Sequence, residues 1–188
     1  MDNFVLPTNL EERLITLARD ASSAILDIYN TDFDVETKTD SSPLTLADMA
    51  AHKIIVKGLS ELTPDIPIIS EESVLPEFSE RSKWPTYWLV DPLDGTKEFV
   101  NRNGEFTVNI ALIKGNAPHL GVVCVPVQDR TYVGNTSTME ARVYSAAGER
   151  HAKSRRFSEK PNEIKVVASR SHVSDELRAY LASLDEVF

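Results

Sequence analysis

The stretch from Tyr87 to Ile113 constrains the fold most, because it joins an apolar run, a turn rich in carboxylates and a segment of alternating polarity. The run from Tyr87 to Val90 stops at Asp91, as expected of a buried strand that ends at the edge of a sheet. Apolar and polar residues then alternate, which predicts a second strand with one buried face. That face would carry Phe106, Val108, Ile110 and Leu112.

Two carboxylates, Asp91 and Asp94, follow the first strand within a few residues. Like charges this close repel, and one would take up a proton unless a cation lies between them. Oxygen ligands suit Mg²⁺ or Mn²⁺ better than zinc. If a helix begins after Thr96, the free amides of Gly95 and Thr96 would bind phosphate beside the metal. The alternative is ordinary turn chemistry, since Asp, Pro and Gly are common turn residues.

A second apolar run, from Ile66 to Ile69, also leads into carboxylates, Glu71 and Glu72. Two strands that both end in acidic residues favour a site over a simple turn. The polar loop from Ser73 to Lys83 would lie beside this site, either as a mobile flap or as a solvated surface loop.

Two helices are predicted ahead of these strands. In the first, Thr8 and Glu11 form a capping box, and apolar residues then recur at helical spacing. The second follows Pro43, with Thr45 as its cap and Asp48 near its positive end. After the central stretch, a turn at residues 114–116 and short strands up to residue 145 predict an antiparallel meander. Two helices followed by a meander indicate the α+β class.

The composition excludes several classes of protein. A formal net charge of −9 argues against a nucleic-acid polymer as partner, because such binding depends on neutralised phosphates. The N-terminus has neither the basic region nor the apolar segment of a signal peptide. No run approaches the ~20 apolar residues of a membrane span. These features indicate a soluble, cytoplasmic protein, with peripheral association at the inner membrane left open.

The acidic segments resemble the inositol monophosphatase superfamily of metal-dependent, lithium-sensitive phosphatases. The resemblance rests on Glu71-Glu72-Ser73 and on the residues from Asp91 to Thr96, and it extends from about Asp20 to the last residue. Lys97-Glu98-Phe99 and the run from Arg102 to Asn109 resemble the bacterial 3'(2'),5'-bisphosphate nucleotidase branch. The resemblance implies a layered α/β sandwich of the inositol monophosphatase/fructose-bisphosphatase type, with an antiparallel sheet and two N-terminal helices.

The resemblance also implies Mg²⁺ as cofactor and a role for individual residues. Glu71, Asp91 and the Leu93 carbonyl would bind a first metal, and Asp91 with Asp94 a second. Thr96 would position the attacking water, which Asp48 would help to orient. The substrate-binding residues would be Glu71, Leu93, Asp94, Gly95, Thr96, Ser169 and His172. Without the resemblance, Asp48 would be read as a helix-end residue and His172 as a surface residue.

The implied reaction removes the 3'-phosphate of 3'-phosphoadenosine 5'-phosphate to give AMP, in sulfate assimilation. The substrate would be a small nucleotide bisphosphate. One alternative is an inositol monophosphatase, which Lys97-Glu98 and residues 169–172 disfavour. The other is a non-catalytic remnant that binds metal or phosphate.

The predicted domains are an N-terminal metal-binding catalytic domain at residues 1–150 and the start of a C-terminal nucleotide-binding domain at 151–188. The superfamily has a later Trp-Asp segment whose aspartate completes the second metal site, and neither Trp84 nor Trp88 precedes an aspartate. We therefore expect an incomplete second layer, a missing C-terminal part and weak metal binding. A strand at Lys165–Ala168 would leave an unpaired edge, which favours pairing with a second copy, a possible homo-oligomer.

Overall fold

The computed structural model describes residues 6–31, 43–154, 167 and 174–183. The chain divides into two compact units, Met1–Lys153 and Ser154–Phe188. The predicted strand at Lys165–Ala168 lies mostly outside the described residues, and Ser169 and His172 lie wholly outside them. The domain boundary at residue 150 therefore remains a prediction.

Two long helices come first, as predicted. Helix α1 covers Leu10–Tyr29 and helix α2 covers Pro43–Leu62. They pack closely at Gly58, where an added Cβ would lie 2.5 Å from the Cδ1 atom of Leu17. Each helix buries one stripe of small and branched residues: Leu14, Ala18, Ala21 and Ile25 in α1, and Ala47, Ala51, Ile55 and Leu59 in α2.

The predicted start of α1 is wrong in detail. The helix begins after Asn9 and no side chain caps it, so the capping box of Thr8 and Glu11 does not form. Glu11 instead accepts a hydrogen bond of 3.0 Å from Nη2 of Arg142, and the hydroxyl of Tyr144 donates to it at 3.4 Å. Glu11 therefore interacts with Arg142, 131 residues away in the sequence, instead of capping its own helix.

The predicted cap of α2 is also wrong. The helix already begins at Pro43, so Thr45 lies inside the first turn rather than at the cap. Proline suits a first helical position because its missing N–H would have had no partner there. Asp48 lies beyond the first turn, which contains no acidic residue.

The seven strands in the described residues form one sheet whose spatial order follows the chain: β1 Ile68–Ser70, β2 Thr86–Asp94, β3 Thr107–Lys114, β4 Ala117–Val125, β5 Arg130–Asn135, β6 Glu140–Ser145 and β7 Gly148–His151. Strands β2 to β7 run antiparallel to their neighbours, and β3 to β6 are the predicted meander, whereas β7 was not predicted. Strand β1 pairs parallel with β2, so the sheet is mixed rather than wholly antiparallel. A short helix, α3 at Phe78–Arg81, interrupts the predicted polar loop between β1 and β2.

Strand β3 alternates as predicted. Phe106, Val108, Ile110 and Leu112 are all at most 1% exposed and belong to the same core cluster as the buried residues of α1 and α2. The turn to β4 uses positive φ at Gly115 and Asn116, as the twist of a tight hairpin requires. The helices thus cover one face of the sheet, and the polar residues of β3 lie on the other.

The opposite face of the sheet is exposed in the described part of the first unit. Leu89, Val123 and Tyr132 are 45%, 39% and 36% exposed there. In the second unit, helix α5 covers Asp175–Ala182, and Ser174 caps it by accepting a hydrogen bond from the Leu177 amide. Within the described ranges, no helix is both long and apolar enough to cross a bilayer.

Candidate active site

The end of β1 brings the first pair of carboxylates to the sheet edge. The parallel register sets Ser70 beside Val90, so Glu71 follows at the level of Asp91. The Glu71 amide donates to the Val90 carbonyl at 3.1 Å, and the Ser73 amide closes a turn on the Ser70 carbonyl at 3.0 Å. Glu71 and Glu72 project from this turn and are exposed to solvent.

Strand β2 brings the second pair, but it ends later than predicted. It was expected to stop at Asp91, whereas it continues to Asp94, which pairs with Thr107 after an irregularity in register. Pro92 has no N–H for the ladder, which fits a bulge at this point. The Leu93 amide donates to Oδ1 of Asp91 at 3.2 Å. The bulge therefore turns two carboxylates of one strand toward the same edge.

A short helix, α4 at Thr96–Val100, begins directly after Gly95, one residue earlier than the helix considered from the sequence. The φ of Gly95 is +96°, and an added Cβ would lie 3.0 Å from the Glu105 carbonyl oxygen, so both conformation and space require glycine. Phe99 anchors α4 through ring contacts with Tyr29 at 5.2 Å and Phe106 at 5.4 Å between centroids. This packing fixes the Gly95-Thr96 backbone next to Asp94.

Asp48 on α2 lies near the carboxyls of Glu71, Glu72 and Asp91. Asp91 in turn lies near Asp94, and these five residues form the acidic cluster. The side chain of Asp48 is half-buried, its Oδ1 atom has no hydrogen-bond partner, and its carboxyl lies within hydrogen-bonding reach of Glu72. Because it lies beyond the first turn of α2 and faces other carboxylates, it does not act as a helix-end residue. The interpretation of Asp48 as a residue that stabilises the positive end of α2 is therefore wrong.

Burial and the close approach of like charges raise the pKa of two carboxyls in the cluster. Burial, and then the charge of Glu72 and a hydrogen bond to it, raise the pKa of Asp48 from 3.8 to about 8. Burial and the charges of Glu71 and Asp94 raise the pKa of Asp91 from 3.8 to about 6, although the Leu93 amide opposes this. At neutral pH, without a cation, Asp48 is mostly protonated.

In this arrangement the carboxyls stand in pairs, Asp48 with Glu72 and Asp91 with Glu71. Within residues 6–31, 43–154, 167 and 174–183, no three acidic, histidine or cysteine side chains converge to hold a metal ion. Pairing through a shared proton is what two neighbouring carboxyls do when no cation is between them. The metal roles of Glu71, Asp91, Leu93 and Asp94 remain predictions.

Sequence reasoning missed two polar residues beside the cluster. Asn109 lies opposite Asp91 in the ladder, and its Nδ2 donates to Oδ2 of Asp94 at a long 3.5 Å. The hydroxyl of Thr107 donates to Oδ1 of Asn109 at 3.2 Å. The alternation in β3 already placed both on the polar face, but the pairing register with β2 is not visible in the sequence.

Carboxylates on two adjacent strand ends, next to a glycine turn that leads into a helix, are typical of phosphatases that work with divalent cations. The chain belongs to the inositol monophosphatase family, whose model matches residues 7–185. The resemblance predicted from the acidic segments is confirmed, and so is the predicted fold type.

The similarity to one branch of this family is high. The chain is 47% identical over 178 residues to the 3'(2'),5'-bisphosphate nucleotidase CysQ of Escherichia coli, which covers 93% of this chain and 69% of that protein. The Salmonella typhimurium protein of the same name is 48% identical with the same coverage. The crystal structure of CysQ from Bacteroides thetaiotaomicron matches with a TM-score of 0.81 and 37% identity, over 93% of this chain and 68% of that one. Mycobacterium tuberculosis SuhB, at 24% identity and a TM-score of 0.61, shares the fold over 80% of this chain and 52% of its own.

Proposed function

We propose that this protein is a Mg²⁺-dependent phosphomonoesterase that removes the 3'-phosphate of 3'-phosphoadenosine 5'-phosphate and releases AMP. The observation that carries the proposal is the acidic cluster at the ends of β1 and β2. The substrate follows from the similarity to proteins named 3'(2'),5'-bisphosphate nucleotidase. Removal of this nucleotide would serve sulfate assimilation, in the cytoplasm or at the inner face of its membrane.

The residues present fit a hard divalent cation. All the donors are oxygens, Oδ1 of Asp48 is buried without a partner, and burial with mutual repulsion raises the pKa of two carboxyls, a penalty that a cation would remove. Glu71, Asp91, the Leu93 carbonyl and Asp94 would hold Mg²⁺. When bound, Mg²⁺ would polarise the phosphoryl oxygens and make a water molecule more acidic.

The protein's own groups would then orient the reactants. The hydroxyl of Thr96 and the carboxylate of Asp48 would hold the attacking water, and Asp48 would accept its proton as the new phosphorus–oxygen bond forms. The amides of Gly95 and Thr96 would bind the phosphoryl oxygens, on which charge redistributes while the bond to the ribose oxygen breaks. The ribose oxygen leaves with a proton from solvent or from a neighbouring acid.

Nucleotide binding is proposed for the second unit. Ser169 and His172 belong to a segment that resembles the nucleotide-binding part of the bisphosphate nucleotidases, and both lie outside the described residues. Residues 151–188 would thus begin a nucleotide-binding domain, which follows a catalytic domain at residues 1–150 in the sequence.

The test is a comparison of two substrates on this chain with Mg²⁺. We expect kcat/KM for 3'-phosphoadenosine 5'-phosphate to exceed that for inositol 1-phosphate at least about tenfold, a gap of ~1.4 kcal/mol in transition-state binding. The ratio does not depend on how fast the chain turns over. Equal or reversed preference would move the protein to the inositol branch. No metal-dependent release from either substrate would contradict the proposal and favour a non-catalytic role.

A further inference from the structure

A second residue of α2 touches the segment that carries the carboxylates. His52 lies one helical turn after Asp48, so the two side chains share a face. Asp48 lies beside Glu72, and Nδ1 of His52 forms a hydrogen bond of 2.9 Å with Oγ of Ser70.

Ser70 lies at the start of the acidic turn and contacts α2. It is the last residue of β1, its side chain is fully buried, and Glu71 follows it directly. Two backbone bonds hold this turn, one to Val90 in β2 and one from Ser73 back to Ser70. The bond to His52 is different, because it ties the turn to α2 and hence to Asp48.

We propose that His52 is a positioning residue of the cation site: through Ser70 it sets the distance between Asp48 on α2 and the carboxylates of Glu71 and Glu72. This inference rests on the proposed function, because it presumes that these groups serve a cation. A cation site needs its ligands placed within about 0.5 Å. Mg²⁺ tolerates less displacement of its ligands than Ca²⁺ does, because it requires near-ideal octahedral geometry. Without the bond from α2 to Ser70, the proposed ligand Glu71, which directly follows Ser70, would not be held to that tolerance.

The structure offers a matched control. The indole Nε1 of Trp88 donates to the hydroxyl of Thr63 at 2.8 Å, and both side chains are buried. Thr63 directly follows α2, so this bond also ties the helix to the sheet, but at the end far from Asp48. Removing it tests for a general loss of stability without a change at the carboxylates.

The experiment measures Mn²⁺ affinity by titration calorimetry and metal-free thermal stability in the whole chain. The variants are His52→Ala, His52→Asn, Ser70→Ala, the double variant of His52→Ala with Ser70→Ala, and Thr63→Val. We expect each alanine variant to weaken Mn²⁺ binding about 3- to 10-fold, the range for one hydrogen bond. The double variant is expected to bind no more weakly than either single one, because both changes remove the same bond.

Two further variants separate positioning from stability. His52→Asn keeps a polar group near the position of Nδ1 and should recover much of the affinity. Thr63→Val should lower the melting temperature but leave Mn²⁺ affinity within about twofold of the unchanged chain.

Different outcomes overturn different statements. Unchanged Mn²⁺ affinity in both alanine variants, strictly additive losses in the double variant, or an equal loss in Thr63→Val would each refute a positioning role for His52. If the unchanged chain binds no Mn²⁺ at all, the cation site itself is refuted, and the role of His52 with it.

Discussion

Among the residues that the structure describes, Asp48 is the one whose negative charge is most strongly disfavoured. Its pKa is raised from 3.8 to about 8 in the folded protein, mainly by burial and by Glu72. A raised folded pKa contributes stability that is fully present below about pH 4 and is lost as the pH rises through 8. Asp91 adds a similar loss between about pH 4 and 6. The metal-free protein should therefore weaken across this window.

The substitution Asp48→Asn isolates that effect. In the presence of a chelator, the melting temperature of the variant should exceed that of the unchanged chain by a margin that widens from about pH 5 to about pH 8, because Asn carries no charge to desolvate. Metal-dependent phosphate release should be lost. Asp20→Asn, an exposed position in α1, serves as the control and should show a constant margin. A constant margin for Asp48→Asn as well would refute the assigned pKa.

Gly95 is constrained by both its conformation and its surroundings. Gly95→Ala should cost ~1–3 kcal/mol of stability and also reduce activity, because α4 and the adjacent amides must shift. Gly115→Ala, at φ +55° in open space, should show only a conformational cost of ~1–2 kcal/mol. Gly134→Ala, in open space without positive φ, should be nearly neutral. Chemical denaturation of the three variants ranks them, and a Gly95→Ala as mild as Gly134→Ala would contradict the tight turn.

At the scale of elements, the N-terminus of α1 is tied to β6 rather than capped. Glu11 forms an ion pair of 2.8 Å with Arg142, whose side chain is 26% exposed. Because the pair is only partly shielded from solvent, Glu11→Gln should cost about 1 kcal/mol, or ~2–4 °C in melting temperature. Glu12→Gln is the matched control, since Glu12 lies in the same first turn and shares its helix dipole. Equal shifts in the two variants would show that the dipole, not Arg142, explains the effect.

The elements that could be predicted from the sequence are those in which apolar residues recur at a regular spacing, because that spacing indicates a buried face. Both long helices and β3 were found this way, since their buried residues recur at helical or alternating spacing. Strand β7 was missed because all four of its residues, Gly148–His151, are exposed and only backbone pairing with β6 makes it a strand. The end of β2 was predicted too early, because β2 pairs with β3 again beyond Pro92 and no local sequence pattern indicates this pairing.

At the scale of the whole molecule, the acidic residues were predicted but not their partners. The carboxylates of Glu71, Asp91 and Asp94 were visible as strand-end residues. The contact of Asp48 with Glu72 was not, because it depends on how α2 lies across β1 and β2. The parallel pairing of β1 with β2, which sets Glu71 beside Asp91, likewise arises only once the sheet is assembled.

The measurement that tests the account most directly is the proton release that accompanies Mg²⁺ binding. Without a cation, Asp48 is mostly protonated at pH 7. A cation bound among the carboxyls of the acidic cluster should displace this proton, so that about one proton per chain is released near pH 7 and progressively less above pH 8. Titration calorimetry in two buffers of different ionisation enthalpy gives the number. Mg²⁺ binding with proton release that disappears in Asp48→Asn would support the site. Failure to bind Mg²⁺, or binding at pH 7 with no proton released, would contradict it.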